Sequence, residues 1–164
     1  MWSVFLPVVV LVGLTLTVLG RLPGLRIRDI KADRTVATRG ALDTGAYSEA
    51  SRKHEANLAN LFETPVLFYV AAVFAILFGA TGWWTGLLCW GYVAARIAHT
   101  IVHTTSNVVV RRFGIFLASV VLLALLWLNV ILAAHDSPVL RLGEAQAAQA
   151  DLIEELRDAL GTDE

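Results

Sequence analysis

A chain of 164 residues, 57% hydrophobic and with a mean hydropathy of +0.65, is too apolar for an ordinary soluble domain and too short for several domains. Thirteen Lys and Arg against fourteen Asp and Glu leave a formal net charge of −1, so charge gives no reason to expect a nucleic-acid partner. The one cysteine, Cys89, excludes an intrachain disulfide and a multi-cysteine metal site, and its apolar neighbours fit packing better than reactivity.

The pattern predicts an all-α protein. Residues 2–19 carry no charge and are long enough to cross a bilayer core. No basic residue precedes them and no small-x-small site lies near Gly20, so they read as a retained membrane helix rather than a cleaved signal. A polar connection at 21–53 follows. It holds Arg21, Arg26, Arg28, Lys31, Arg34, Arg39, Arg52 and Lys53, and at this length a solvated loop or a binding lid is expected. Apolar segments at 56–78, 83–104 and 113–134 then give three more spans, with a short turn at 79–82 and Trp83 and Trp84 at the interface. The expected fold is an integral membrane four-helix antiparallel bundle over residues 1–136.

Basic residues set the orientation. The first loop is rich in them, Arg111 and Arg112 lie just before the fourth span, and the 79–82 turn has none. The first and third loops are therefore expected in the cytoplasm and both termini on the other side. The tail, 137–164, is a separate unit: Leu152, Ile153, Leu156 and Leu160 recur at helical spacing among acidic residues, the pattern of an amphipathic helix. Its acidity argues against docking on anionic lipid.

The stretch 93–112 breaks the apolar pattern. Arg96, His99, His103 and Asn107 follow one another at steps of three, four and four, which places them within a stripe of roughly 80° on a helix. Such a stripe in a membrane is costly unless it faces protein or water, and by default marks a functional site. Asn57, Asn60 and Glu63 open the second span at the same depth, and Arg112 sits at the start of the fourth. A Glu63–Arg96 ion pair is the simplest structural use of these groups. Arg112 and the histidines then form a cationic mouth suited to a small anionic amphiphile, and cations of this kind also favour a thiolate. His99 and His103 at i, i+4 lack the carboxylate of a His-Glu-x-x-His site, and no metal is assigned. No Ser or Cys nucleophile with a base and an orienting group is evident. Asn129, near the far end of the fourth span, fits a helix–helix hydrogen bond.

At these residues the chain resembles the MAPEG family, membrane-associated proteins in eicosanoid and glutathione metabolism. One motif is Asn60-Leu-Phe-Glu63-Thr-Pro65, similar to the family's Asn-x-x-Glu followed closely by Pro. The other is Arg96-x-x-His99-x-x-x-His103 with Asn107 and Arg112 following. The resemblance implies a homotrimer of four-helix subunits with cytoplasm-facing sites between subunits. It implies glutathione as co-substrate, held by Asn60, Glu63, Arg96 and His99 with His103 beside them, and Arg112 as the catalytic group that stabilises the thiolate. Two positions depart from the pattern: Ala56 stands where glutathione-using members commonly have Arg, and His103 where many have Tyr. Two functions are therefore expected in competition. One is a glutathione-dependent transferase or peroxidase acting on lipophilic electrophiles. The other is a non-catalytic membrane module that binds a lipid or anionic amphiphile, or scaffolds a partner.

Overall fold

The computed structural model describes residues 1–160, and every regular element among them is helical. The first helix, α1 (Trp2–Ala32), runs well past the expected end at residue 19. Its extension is built from Leu and Arg, good helix formers, and Leu22 is buried; this outweighs Gly24 and the internal Pro23. The expected loop at 21–53 is consequently mostly helix. After α1 come a short α2 (Val36–Arg39), a 3-10 turn at Thr44–Ala46, and α3 (Glu49–Leu61).

Two polar ties hold the α1 extension against α3. Arg26 forms an ion pair with Glu55 at 2.7 Å. Asp29 accepts hydrogen bonds from the Ser48 backbone N–H (3.1 Å), the Ser48 hydroxyl (2.8 Å) and the Ser51 hydroxyl. Ser48 is also the residue that caps α3, its Oγ accepting from the Ser51 N–H. One carboxylate thus serves the cap of the next helix. Asp29→Ala is expected to cost about 1–3 kcal/mol, because two hydroxyls and an N–H lose their acceptor together. A thermal melt in detergent followed by circular dichroism checks this; an unchanged midpoint refutes it.

The expected single helix at 56–78 is divided in two. α3 ends at Leu61 and α4 (Thr64–Leu77) restarts after Glu63, whose φ and ψ are −92° and −95°. Pro65 explains the break. It has no N–H to give to α3 and restricts the residue before it, yet fits the first turn of a new helix. α5 (Trp83–Thr104), α6 (Val109–His135) and α7 (Pro138–Leu160) complete the chain. α6 starts earlier than residue 113, so Arg111 and Arg112 lie in its first turn.

Among the described residues three segments are long and apolar enough to cross a membrane: α1, α3 with α4 taken together, and α6. α5 (22 residues) has the length but is not among them, and it carries Arg96, His99 and His103 on its buried face. α5 packs mainly on α6 and α1, and α4 on α6 and α1. The shared core holds Val4, Leu11, Phe68, Leu88, Tyr92 and Leu126. Phe68 stacks on Tyr92 with centroids 4.7 Å apart, and Ala71, Ala72 and Ala75 let α4 approach closely. Asn129 donates to the Thr85 hydroxyl at 3.0 Å, the interhelical bond its sequence position implies. Large apolar side chains such as Leu16, Val73 and Leu132 are more than half exposed. With the apolar helices, this makes the chain a membrane protein: these are surfaces for lipid. In the tail, Leu152, Ile153 and Leu156 form the expected stripe and are exposed. The side chain of Leu160 and residues 161–164 lie outside the described residues.

Candidate functional site

The polar residues of α3 and α5 meet because the two helices run antiparallel in a fixed register. Nδ1 of His103 lies 3.2 Å from the carbonyl oxygen of Lys53, so that nitrogen carries the proton and donates. Two turns further along, Nη2 of Arg96 donates to the Asn60 carbonyl at 2.9 Å.

Arg96 is completely buried. The Glu63–Arg96 pair expected from sequence is not formed: among the described residues the ion pairs are Arg26–Glu55, Lys53–Glu49 and Arg141–Asp136. Glu63 is exposed, at the break between α3 and α4 that precedes Pro65. Two features offset the charge of Arg96. Asn60 lies in the last turn of α3, where carbonyls lack helical partners and the helix dipole is negative. The guanidinium also stands 5.8 Å from the centre of the Phe116 ring, within cation–π range.

The connection from α5 to α6 places Arg112. Asn107 adopts φ +49°, a left-handed conformation that Asn tolerates better than most residues. Its Oδ1 accepts from Nη1 of Arg112 at 2.8 Å. The turn and the guanidinium are thereby fixed by one side chain. Two substitutions separate these roles. Asn107→Gly keeps the backbone and is expected to leave the melting midpoint within a degree or two. Asn107→Val forces a β-branched residue into the left-handed region and is expected to cost about 1–3 kcal/mol. Equal melting midpoints for the two variants would show that the turn is unstrained.

Two cavities adjoin at this point. The inner one, about 220 Å³, is lined by Asn60, His99, Val109, Arg112, Phe113 and Phe116. The outer one, about 360 Å³, is lined by Glu49, Arg52, Lys53, Ala56, His103, Asn107 and Arg112. Arg112 borders both. The structure thus brings Asn60, His99 and Arg112 to the inner chamber and His103 and Arg112 to the outer one. Arg96 stands behind the wall, and Glu63 lies on the exposed side of the break. The rings of His99 and His103 are 5.5 Å apart and link the two chambers along α5. Among the described residues no group of three His, Cys, Asp or Glu side chains is placed to hold a metal.

Some members of the site were not singled out from sequence. Phe113 and Phe116, at i and i+3 on α6, give the inner chamber its apolar wall; their spacing beside Arg112 was the available signal. Arg52 and Lys53, which the sequence already offered as replacements for the cation missing at Ala56, border the same chamber as that residue. Lys53 is already engaged, with Glu49 at 2.8 Å and the Thr105 carbonyl at 3.0 Å. Arg52 has no ion-pair partner among the described residues. Chemically, the arrangement is a cationic antechamber leading past one arginine into a smaller chamber with aromatic walls.

Compared with known families, the chain matches the model of the MAPEG family over residues 3–132. No curated protein and no solved structure matches it. The tail helix α7 lies beyond the matched segment.

Proposed function

We propose, from the premise that this chain belongs to the MAPEG family, that it is a glutathione-dependent transferase or peroxidase acting on lipophilic electrophiles within the membrane. The observation that carries this reading is Arg112, shared by a cationic chamber and an aromatic one. A peptide thiol with two carboxylates fits the first, and an apolar electrophile fits the second. Glutathione supplies the nucleophilic sulfur; the chain's own residues bind it, orient it and favour its anionic form.

The donor set matches that task. Arg52, His103 and Arg112 surround the outer chamber, and Asn60 and His99 offer polar atoms inside. Arg111 and Arg112 lie in the first turn of α6, where the free N–H groups add to the positive potential. Arg96 acts from behind, holding the Asn60 carbonyl and so the end of α3. In this reading α5 also spans the membrane and completes an antiparallel bundle of four: its costly side chains are all turned inward. The basic loops face the cytoplasm, both termini lie on the other side, and the chambers open near the cytoplasmic face. Glu63, exposed at the depth of the site, is explained if the assembly is a homotrimer and the residue completes a neighbour's site.

A second reading is favoured by one observation, Ala56 on the wall of the outer chamber. With one fewer cation, the site holds an anionic lipid or amphiphile without chemistry. A glutathione titration of the detergent-solubilised protein separates the two. At a hundredfold excess over Kd, binding to the native state adds about 2.7 kcal/mol and raises the melting midpoint by several degrees. Conjugation of an aryl halide or reduction of a lipid hydroperoxide then establishes catalysis. No thermal shift and no turnover would leave the amphiphile module as the function.

A further inference from the structure

The contacts of Lys53 with His103 and of Asn60 with Arg96 bracket a level at which, among the described residues, no side-chain hydrogen bond joins α3 to α5. Asn57 of α3 lies at that level, one turn from both Lys53 and Asn60 on the same face. Opposite it on α5 are His99 and Thr100. All are buried: Asn57 and Arg96 are 0% exposed, His99 2% and Thr100 6%. Their polar atoms, however, find no partner in the protein. This holds for Nδ2 and Oδ1 of Asn57, Oγ1 of Thr100, Nε and Nη1 of Arg96, and Nδ1 of His99. Native interiors rarely leave such groups unsatisfied, and a concentration of them at one level calls for a small ligand that both donates and accepts.

We propose that Asn57, Thr100 and Arg96 hold ordered water behind the His99 ring, and that this water fixes His99 in the tautomer with its proton on Nε2. The donor inventory sets the direction. Arg96 can only donate, so its free N–H groups occupy the lone pairs of the water. Donors outnumber acceptors among the unpartnered atoms, because Nδ2 of Asn57 and the Thr100 hydroxyl also donate, so the hydrogens of the water and of these groups call on Oδ1 of Asn57, Oγ1 of Thr100 and Nδ1 of His99 together as acceptors. Nδ1 as acceptor leaves the ring proton on Nε2. His99 lines the inner chamber, and Nδ1 is its buried, unpartnered nitrogen. The chamber is thus given a neutral N–H donor rather than a base. Asn57 and Thr100 are positioning residues that act through His99. The purpose of this donor, stabilising an anion in the chamber, rests on the function proposed above; the tautomer does not.

The experiment is nitrogen NMR on ligand-free, full-length protein in detergent, labelled with ¹⁵N at its four histidines, His54, His99, His103 and His135. A His99→Gln variant assigns the signal. The expected result is a His99 ring protonated at Nε2 with a bare Nδ1, and a mixture of tautomers in Asn57→Leu. Thr100→Val, which keeps shape and removes the hydroxyl, should shift the same signal and carries the test if Asn57→Leu does not fold. A His99 ring protonated at Nδ1 overturns the proposal, and so does a tautomer that neither substitution alters. Because no glutathione is present, an inactive protein with the expected tautomer would refute the catalytic function alone.

Discussion

Arg112→Ala is expected to lower turnover about 100- to 1,000-fold, the usual result of removing one preorganised donor to a developing anion. The KM for glutathione is expected to rise by less than about tenfold, because Arg52, His103 and Asn60 still line the chambers. The asymmetry follows from position. Arg112 is half-buried between the chambers and steadied by Asn107 at 2.8 Å, so its charge is held at their junction. The effect has a pH signature with a definite sign. A cation favours the thiolate, so its loss leaves more of the bound thiol protonated at neutral pH. Raising the pH to about 9, beyond the ordinary thiol pKa of about 8.5, ionises the sulfur without help and should recover part of the lost rate. Arg112→Lys keeps the charge but not the planar fork that meets Asn107, and should fall between the two. Conjugation of an aryl halide, followed from neutral to alkaline pH, reads all three. Full activity in Arg112→Ala would remove the residue from the mechanism, and a deficit unchanged by pH would show that it acts by some other means than favouring the thiolate.

Much of the molecule was legible because membrane energetics make costly residues conspicuous. The apolar segments, the helical tail and the Asn129 bond to α5 follow from period and hydropathy. The convergence of Asn60, His99, His103 and Arg112 follows because each would be expensive in lipid alone. What sequence did not yield is of two kinds. The first is tertiary override of local signals. Arg21 to Arg28 read as the start of a loop because they are charged and flank Pro23, yet Leu22 finds a buried place and Asp29 finds the cap of α3, so the helix continues. The second is pairing. Opposite charges on neighbouring spans imply an ion pair, but Glu63 sits exposed at the helix break, and Arg96 takes a helix end and an aromatic face in its place. Sequence periodicity carries no information on which of several acceptors a long side chain reaches. Nor could it show that Asn57, beside the motif residue Asn60, is the more deeply buried of the two.

Arg96→Ala is expected to destabilise the protein by about 3 kcal/mol or more, by analogy with truncation of other large buried side chains. For a chain of this length that lowers the melting midpoint by roughly 6–12 °C. Arg96 is among the largest fully buried side chains of the described residues, and it fastens α5 to the end of α3 immediately before the break at Glu63. Truncation leaves a cavity beside Phe116 and strands the Asn60 carbonyl. Arg96→Met separates volume from charge. It fills most of the space, and it removes the cost of burying a guanidinium that has no carboxylate partner, which offsets the lost hydrogen bond. Its midpoint is therefore expected within about 1 kcal/mol of the native protein. Turnover should nevertheless fall at least tenfold in Arg96→Met. The chamber loses the positive field behind its wall, and Asn60 loses the bond that sets its carbonyl. A stable but inactive Met variant would mean that this arginine is retained for function at the expense of stability. An Ala variant that melts with the native protein would show that Arg96 neither fills nor fastens the junction of α3 and α5, and the polar groups around both chambers would then be held in place by something other than this side chain.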